Sequence, residues 1–464
     1  LVEKTDKKLK LPKFRFSHQW LMRRFFLPLA ILACSFAQAQ AISLISDEES
    51  EIFLQKITQP LFKAAGVPYN RSKVFIVNDN SLNAFVSDGN TLFIHTGTIT
   101  SASSPEELSG VIAHETGHIM GGHIIRQKLK NEALQQASLA SMLLAGTTAA
   151  LTGRGDVAMA IALGGQSSTL NNYMQYRTEQ ERSADESAVK LLNATRQSPQ
   201  GMLKFMKRIS QRNDLSGIEE TPYFRTHPVT RERINFMEQA VSKSSYQPKR
   251  QYPEEFLRVK AKLLAFLETP EQTFRRYPLS NSSVPARYAQ AIAYFKKLDI
   301  DNALKKINSL IAEEPDNPFF HELKAQIYLE TGKIKPARQE YQSALAKLPG
   351  SPLLQLSLAQ AILEDNPSKN DLKKAISLLN QANIKQPTPM GWLLLSRAYE
   401  ASGDMAYSNY AAAEYSLSIG MPEVAQRQLK EANNFTAANS KLKLKIEDLS
   451  SRINILLKDK KGTQ

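Results

Sequence analysis

His114-Glu115-Thr116-Gly117-His118 follows an apolar run containing Leu108, Val111 and Ile112. On an α-helix, residues four apart share a face, so His114 and His118 can direct both imidazoles at one metal ion. Glu115 then lies one residue round from the first ligand, where a carboxylate can take the proton of a water that the metal activates. Just upstream, Ser104-Pro105-Glu106-Glu107 reads as a helix start, with an N-cap serine, a proline at the first helical position and a glutamate at capping-box spacing. The stretch therefore predicts a helix that carries two zinc ligands and a general base.

Two histidines need a third protein ligand. One class of zinc peptidase places a third His six residues after the second, behind a glycine bend. Gly121 fits that pattern, but the required position is Ile124. His123 falls one residue short and, on a continuous helix, points about 140° away from His118; it reads as a bystander. Downstream, Tyr176-Arg177-Thr178-Glu179-Gln180-Glu181-Arg182-Ser183-Ala184-Asp185 leads into a helical pattern through Ala188, Val189, Leu191 and Leu192. Glu181 can complete a His, His, Glu set that leaves the fourth position open. Asp185, four residues on, can accept the outer N–H of a ligand histidine and fix its tautomer. The same charges also suit a solvated acidic helix face, and spacing alone leaves both readings open.

HExxH followed by ExxAD resembles the peptidase family that contains the CAAX prenyl endopeptidases and the HtpX membrane protease. Asn83-Ala84-Phe85, Gly89 and the strand-like Thr91-Leu92-Phe93-Ile94-His95-Thr96-Gly97 extend the resemblance upstream, and it covers residues 45–240. It implies an α+β, mainly helical zinc-peptidase domain in which His114, His118 and Glu181 hold one zinc ion per chain. It further implies that Glu115 is the general base and that Asp185 supports a ligand histidine. Thr226-His227-Pro228, followed by Arg231, resembles a late feature of the same family. His227 can be a buried loop histidine, a residue that orients substrate, or a fourth ligand that closes the site and keeps the enzyme latent. The region Asn83–Thr96 suits a sheet edge on which a substrate lies extended.

Residues 1–41 read as a secretory leader. Arg15, Arg23 and Arg24 precede an apolar run from Phe25 to Phe36, and Ala37-Gln38-Ala39 and Ala39-Gln40-Ala41 offer small-x-small exits. Met22 would make a more ordinary start. Cys34, the only cysteine of the chain, lies in Ile31-Leu32-Ala33-Cys34, a weak lipoprotein box; ordinary cleavage is the preferred reading and lipid anchoring the alternative. The leader carries +6 of the net charge of +14. The remainder is mildly basic and lacks a compact basic block with aromatics, so nucleic acid is not an expected partner. Without cysteines, the exported chain must be held by core packing.

Between the metal motifs, residues 138–170 form two short apolar halves around Gly153-Arg154-Gly155-Asp156. Each half is too short to span a bilayer. The segment reads either as a hairpin packed on the domain or as one that touches a membrane surface or covers the cleft.

Ser242-Lys243-Ser244-Ser245-Tyr246-Gln247-Pro248-Lys249-Arg250 reads as linker, placing boundaries at 42–240, 241–250 and 251–464. Beyond it, Ala291, Tyr294, Ala303 and Pro315 recur at Ala325, Tyr328, Ala337 and Pro349, each shifted by thirty-four residues. That is the tetratricopeptide period, with small residues at helix crossings. Ala359, Ala375 and Pro387 continue it around Asn366-Pro367-Ser368, then Trp392, Leu395, Ser396 and Tyr399, then Gly420 and Ala425 before a charged C-terminal helix. An all-α repeat solenoid follows, whose concave face takes proteins or peptides.

The combination resembles exported metallopeptidases with C-terminal tetratricopeptide repeats. It implies a periplasmic zinc endopeptidase for unfolded or misassembled proteins, in outer-membrane β-barrel quality control, with the barrel-assembly machinery as partner through the repeats. A scaffold or chaperone with a latent peptidase site is the alternative.

Overall fold

The computed structural model describes residues 43–69, 74–87, 90–126, 176–216, 222–247, 252–437 and 440–462. The leader with Cys34, the apolar segment 138–170 and Gly89 lie outside them. Residues Ile42–Gln464 form one compact unit.

Four strands, β1 (Leu44–Ile45), β2 (Val74–Val77), β3 (Ala84–Ser87) and β4 (Thr91–His95), make a sheet of order β1-β2-β4-β3. β2 and β4 run parallel with Val77 opposite His95, and β3 is antiparallel to β4 with Ala84 opposite Ile94. Side chains alternate as the period of two requires. Leu92 and Ile94 are buried on one face. Phe75, Phe93 and Phe85 stack across the strands at 5.4 and 5.0 Å between centroids, cross-strand pairs that fix the register. β3 forms one edge of the sheet.

The buried face packs on α1 (Glu48–Ala64) through Phe53, Leu54, Ile57, Leu61 and Phe62. β4 passes directly into α2 (Thr96–Ser101), and α3 (Pro105–Met120) follows. Nearly every residue of α3 from Leu108 to His118 is buried, as expected of a helix with neighbours on all sides. Two of those neighbours come very close. A Cβ on Gly110 would lie 2.7 Å from Met202 Cα in the helix Gln200–Ser216, and one on Gly117 would lie 2.7 Å from the Ala184 carbonyl. Ala184 belongs to the helix through residues 176–194, so Gly117 lets the helices of the two metal motifs approach backbone to backbone.

The start of α3 differs from the expected capping box. Ser104 is the N-cap and Pro105 opens the helix, but the Ser104 side chain makes no capping hydrogen bond. Glu107 instead engages Ser103 and Arg208. A buried carboxylate gains more from a guanidinium than from a backbone N–H.

After Pro222–Thr226 and Arg231–Lys243, which carries helix three residues into the expected linker, the chain enters helix pairs. Val284–Lys296 pairs with Ile300–Glu313, Pro318–Glu330 with Ile334–Lys347, Pro352–Glu364 with Lys369–Lys385, and Pro389–Ser402 with Met405–Ser418; Pro422–Asn434 and Lys441–Gly462 close the array. Ala291, Ala303, Ala325, Ala337, Ala359, Ala375 and Ala425 are all fully buried at the crossings. The array is an all-α repeat solenoid.

The helix Pro253–Leu267, first after the expected linker, joins the core of the sheet-bearing domain. Its Phe256, Val259 and Leu263 share one apolar cluster with Phe53, Ile57 and Ile112. Around that seam lies a charge network: Arg258 pairs with Glu49, Lys262 with Asp47, and Tyr288 Oη donates to Glu49 Oε2 at 3.1 Å. No helix among the described residues is long and apolar enough to cross a membrane.

Candidate metal centre

α3 projects His114 and His118 from successive turns, and the helix through residues 176–194 projects Glu181 against them. Glu181 Oε2 lies 3.3 Å from His114 Nε2, and Oε1 lies 3.3 Å from His118 Nε2. The two Nε2 atoms are 3.2 Å apart. His227, just beyond the short helix Pro222–Thr226, brings Nδ1 to 3.0 Å from Glu181 Oε1 and 3.4 Å from His114 Nε2. Ligand atoms of all four residues fall within 4.8 Å of one another, and all four residues are buried.

Several observations bear on whether this cluster suits zinc. The donor set is three imidazoles and a carboxylate, borderline nitrogen and oxygen ligands of the type zinc takes. Glu181 Oε2 is buried and faces His114 Nε2 at 3.3 Å and the Arg233 guanidinium at 2.9 Å, so an ionised carboxylate oxygen stands directly beside the imidazole nitrogens. Burial opposes ionisation of Glu181, yet His227, His114 and His118 hold its carboxyl well below the usual range. Burial alone would lower the pKa of His114, but Asp185 and Glu181 outweigh it and raise the group to about 9. Burial pushes the pKa of His118 down to about 3, so its nitrogen stays unprotonated beside the ionised Glu181, and the residues fit a divalent metal.

Glu115 is fully buried and neither of its carboxylate oxygens has a hydrogen-bond partner. Oε1 lies 3.6 Å from His227 Nε2. Burial pushes its carboxyl above the ordinary value, which increases its affinity for a proton.

Asp185 Oδ1 lies 2.9 Å from His114 Nδ1, on the side of the ring away from Glu181. Arg233 joins this carboxylate to the rest: Nε and Nη2 reach Asp185 at 2.7 and 2.9 Å, Nη1 reaches Glu181 Oε2 at 2.9 Å, and Nη1 also donates to the Pro228 carbonyl at 2.7 Å. Sequence reading had singled out Arg231, which is exposed. The missed signal was physical: two buried carboxylates one helical turn apart require a buried cation, and Arg233 sits at the start of a helix capped by Thr230.

His123 does not stand apart. Its Nδ1 lies 2.9 Å from His118 Nδ1, and Gln180 Nε2 donates to its carbonyl at 3.3 Å. The expectation assumed a continuous helix, but α3 ends at Met120 and Gly122 takes φ 59°, which turns the ring back toward His118. His123 supports His118 from outside the four-residue cluster. Tyr223, also unremarked in the sequence, lays its ring 4.6 Å from that of His227 at 32°.

A cleft of about 240 Å³ opens on this centre, lined by Phe85 and Val86 of β3, by Glu115 and His118, and by Thr226 and His227. An extended chain beside edge strand β3 would pass Glu115.

Residues 49–241 match the model of peptidase family M48. The chain is 24% identical over 338 residues to the β-barrel assembly-enhancing protease of Yersinia pestis, covering 71% of this chain and 68% of that protein. To the protein of that name from Escherichia coli K12 it is 24% identical over 377 residues, covering 77% and 73%. Among solved structures, a thermophilic TPR protein of Thermus thermophilus aligns at 19% identity over 41% of this chain and 99% of its own, with a TM-score of 0.23.

Proposed function

We propose that this chain, whose residues 49–241 form a peptidase family M48 metallopeptidase domain, is a periplasmic zinc-dependent endopeptidase acting on unfolded or misassembled proteins. Outer-membrane β-barrel quality control and assembly is its setting, and the barrel-assembly machinery is its partner through the repeats. The convergence of His114, His118 and Glu181 beside the unpartnered carboxylate of Glu115 carries this reading. The names of its relatives in Yersinia pestis and Escherichia coli support the setting.

His114, His118 and Glu181 hold the metal, one ion per chain. When bound, zinc supplies a Lewis acid that polarises the peptide carbonyl and activates water. Asp185 fixes the His114 tautomer from Nδ1 and so points Nε2 inward. Glu115, raised in proton affinity by burial, takes the proton of the attacking water and passes it to the leaving amine. β3 offers unpaired edge groups to an extended substrate, and the cleft beside it excludes a folded one. A cavity of about 710 Å³ lies among the repeat helices, lined by Leu323, Leu356, Met390 and Leu393 together with Leu263, Asp47, Lys262 and Glu322. That mixed lining suits docking of a protein segment.

A second reading, a repeat scaffold with a latent peptidase, is favoured by one observation: His227 stands 3.0 Å from Glu181 and 3.4 Å from His114, where a fourth ligand would close the site. Cleavage of an unfolded outer-membrane protein by residues 42–464 with zinc, beside Glu115→Gln, separates the two. Cleavage by the first alone supports the peptidase; client binding by both without cleavage supports the scaffold.

A further inference from the structure

Two arginines tie the backbone on either side of His227 to the helix that carries Glu181. Arg177, on that helix, donates Nη2 to the carbonyls of Arg225 and Thr226, each at 2.7 Å. Arg233 donates Nη1 to the carbonyl of Pro228 at 2.7 Å while its other nitrogens grip Asp185. The residues before and after His227 are therefore each held by a guanidinium whose anchor is the ligand helix. Arg225 and Thr226 end a short helix, and carbonyls at a helix C-terminus lack intrahelical partners and carry partial negative charge. A planar guanidinium suits two such acceptors better than an ammonium does.

The two arginines differ in accessibility. Arg233 is 5% exposed and enclosed by Asp185, Glu181 and the Pro228 carbonyl. Arg177 is only half-buried and lines the cleft beside Thr226 and His227. His227 itself is further fixed by its N–H, which donates to the Tyr223 carbonyl at 2.7 Å, and by the Tyr223 ring. These two contacts hold the histidine within its own short helix, while the arginines tie that helix end to the helix of Glu181 beside the direct His227 Nδ1–Glu181 contact at 3.0 Å.

We propose that Arg177 and Arg233 are positioning residues that clasp the His227 loop against His114 and Glu181, with Arg177 the half that can be released at the cleft mouth. The clasp sets how fully His227 occupies the metal centre, and loosening Arg177 opens it. This rests on the reading of the metal centre given above. Losing the two charge-assisted bonds of Arg177 should raise the open population by about tenfold or more.

The test uses the full chain loaded with cobalt(II) in place of zinc, whose visible spectrum reports the ligand set, together with steady-state cleavage of an unstructured peptide. Arg177→Met should shift the spectrum toward that of His227→Ala and raise kcat with little change in KM. Arg177→Lys should return part of the way to the parent. Adding Arg177→Met to His227→Ala should change nothing further. An Arg177→Met spectrum that overlays the parent, while His227→Ala differs, overturns the clasp and leaves the metal centre standing. Equal losses of metal affinity and melting temperature from Arg177→Met in both backgrounds overturn it too, as a general structural role. If cobalt does not bind, or His227→Ala leaves the spectrum unchanged, the reading of the centre fails and the clasp with it.

Discussion

Arg233 and Asp185 meet through two hydrogen bonds, Nε to Oδ2 at 2.7 Å and Nη2 to Oδ1 at 2.9 Å, with side chains 5% and 1% exposed. The same Asp185 faces His114 Nδ1 at 2.9 Å. One buried carboxylate thus neutralises a buried cation and faces an imidazole of the proposed metal centre.

Asp185→Asn keeps the size and removes the charge. It should destabilise the metal-free protein by about 3 kcal/mol, because the guanidinium loses its main buried counter-charge. Zinc affinity should also fall by about 10- to 100-fold through loss of ligand orientation. Urea unfolding with and without zinc measures both, and a normal zinc titration would show that Asp185 does not orient His114.

Gly117→Ala tests the approach of the two motif helices. The added Cβ would meet the Ala184 carbonyl at 2.7 Å and Ala184 Cα at 3.0 Å, so the helices must separate at a cost of ~1–3 kcal/mol. Gly110→Ala would meet Met202 backbone atoms at 2.7 Å on the other flank of α3 and should cost a similar amount. Only the first should weaken zinc binding markedly, because only it displaces Glu181. Equal zinc affinity in the two variants would separate the helix contact from ligand placement.

Phe256→Ala removes a side chain 2% exposed in the cluster that also contains Phe53 and Ile57. A loss of about 3–5 kcal/mol is expected. Since the cluster joins the peptidase to the first helix beyond the linker, calorimetry of residues 42–464 should show both regions unfolding in one transition that moves as a whole. Two separate transitions, only one of them shifted, would contradict a shared core.

Glu322 predicts a pH dependence away from the metal. Burial pushes its carboxyl from the ordinary 4.5 up to about 7, against the pull of Lys262 3.6 Å away. The folded chain then binds this proton more tightly than the unfolded chain. The contribution to stability is full below pH 4.5 and is lost as pH rises through 7. Glu322→Gln should flatten that part of the profile, and unfolding midpoints measured from about pH 4.5 to 8 give the comparison. An unchanged slope would place the titration elsewhere.

Much of the centre was legible from spacing. His114 and His118 share a face because four residues make about one helical turn, and Glu181 with Asp185 repeats that logic on a second helix. The repeat period was equally plain, since Ala303 and Ala337 must be small where helices cross. His123 stands outside the four clustered residues, but its ring turns toward His118, against the expected direction, because Gly122 with positive φ follows the early end of α3. Arg233 was passed over in favour of Arg231 because only burial separates two arginines two residues apart.

By itself the sequence determined which side chains have the chemistry to bind metal or take a proton, and that helix pairs would stack, because helical periodicity is local and the donor chemistry belongs to the side chains. Tertiary structure alone decided that Arg233 answers Asp185 and that His227 reaches Glu181. It also decided that Phe256 completes the peptidase core across the linker. Those outcomes depend on which distant surfaces exclude water together, and no local spacing records that.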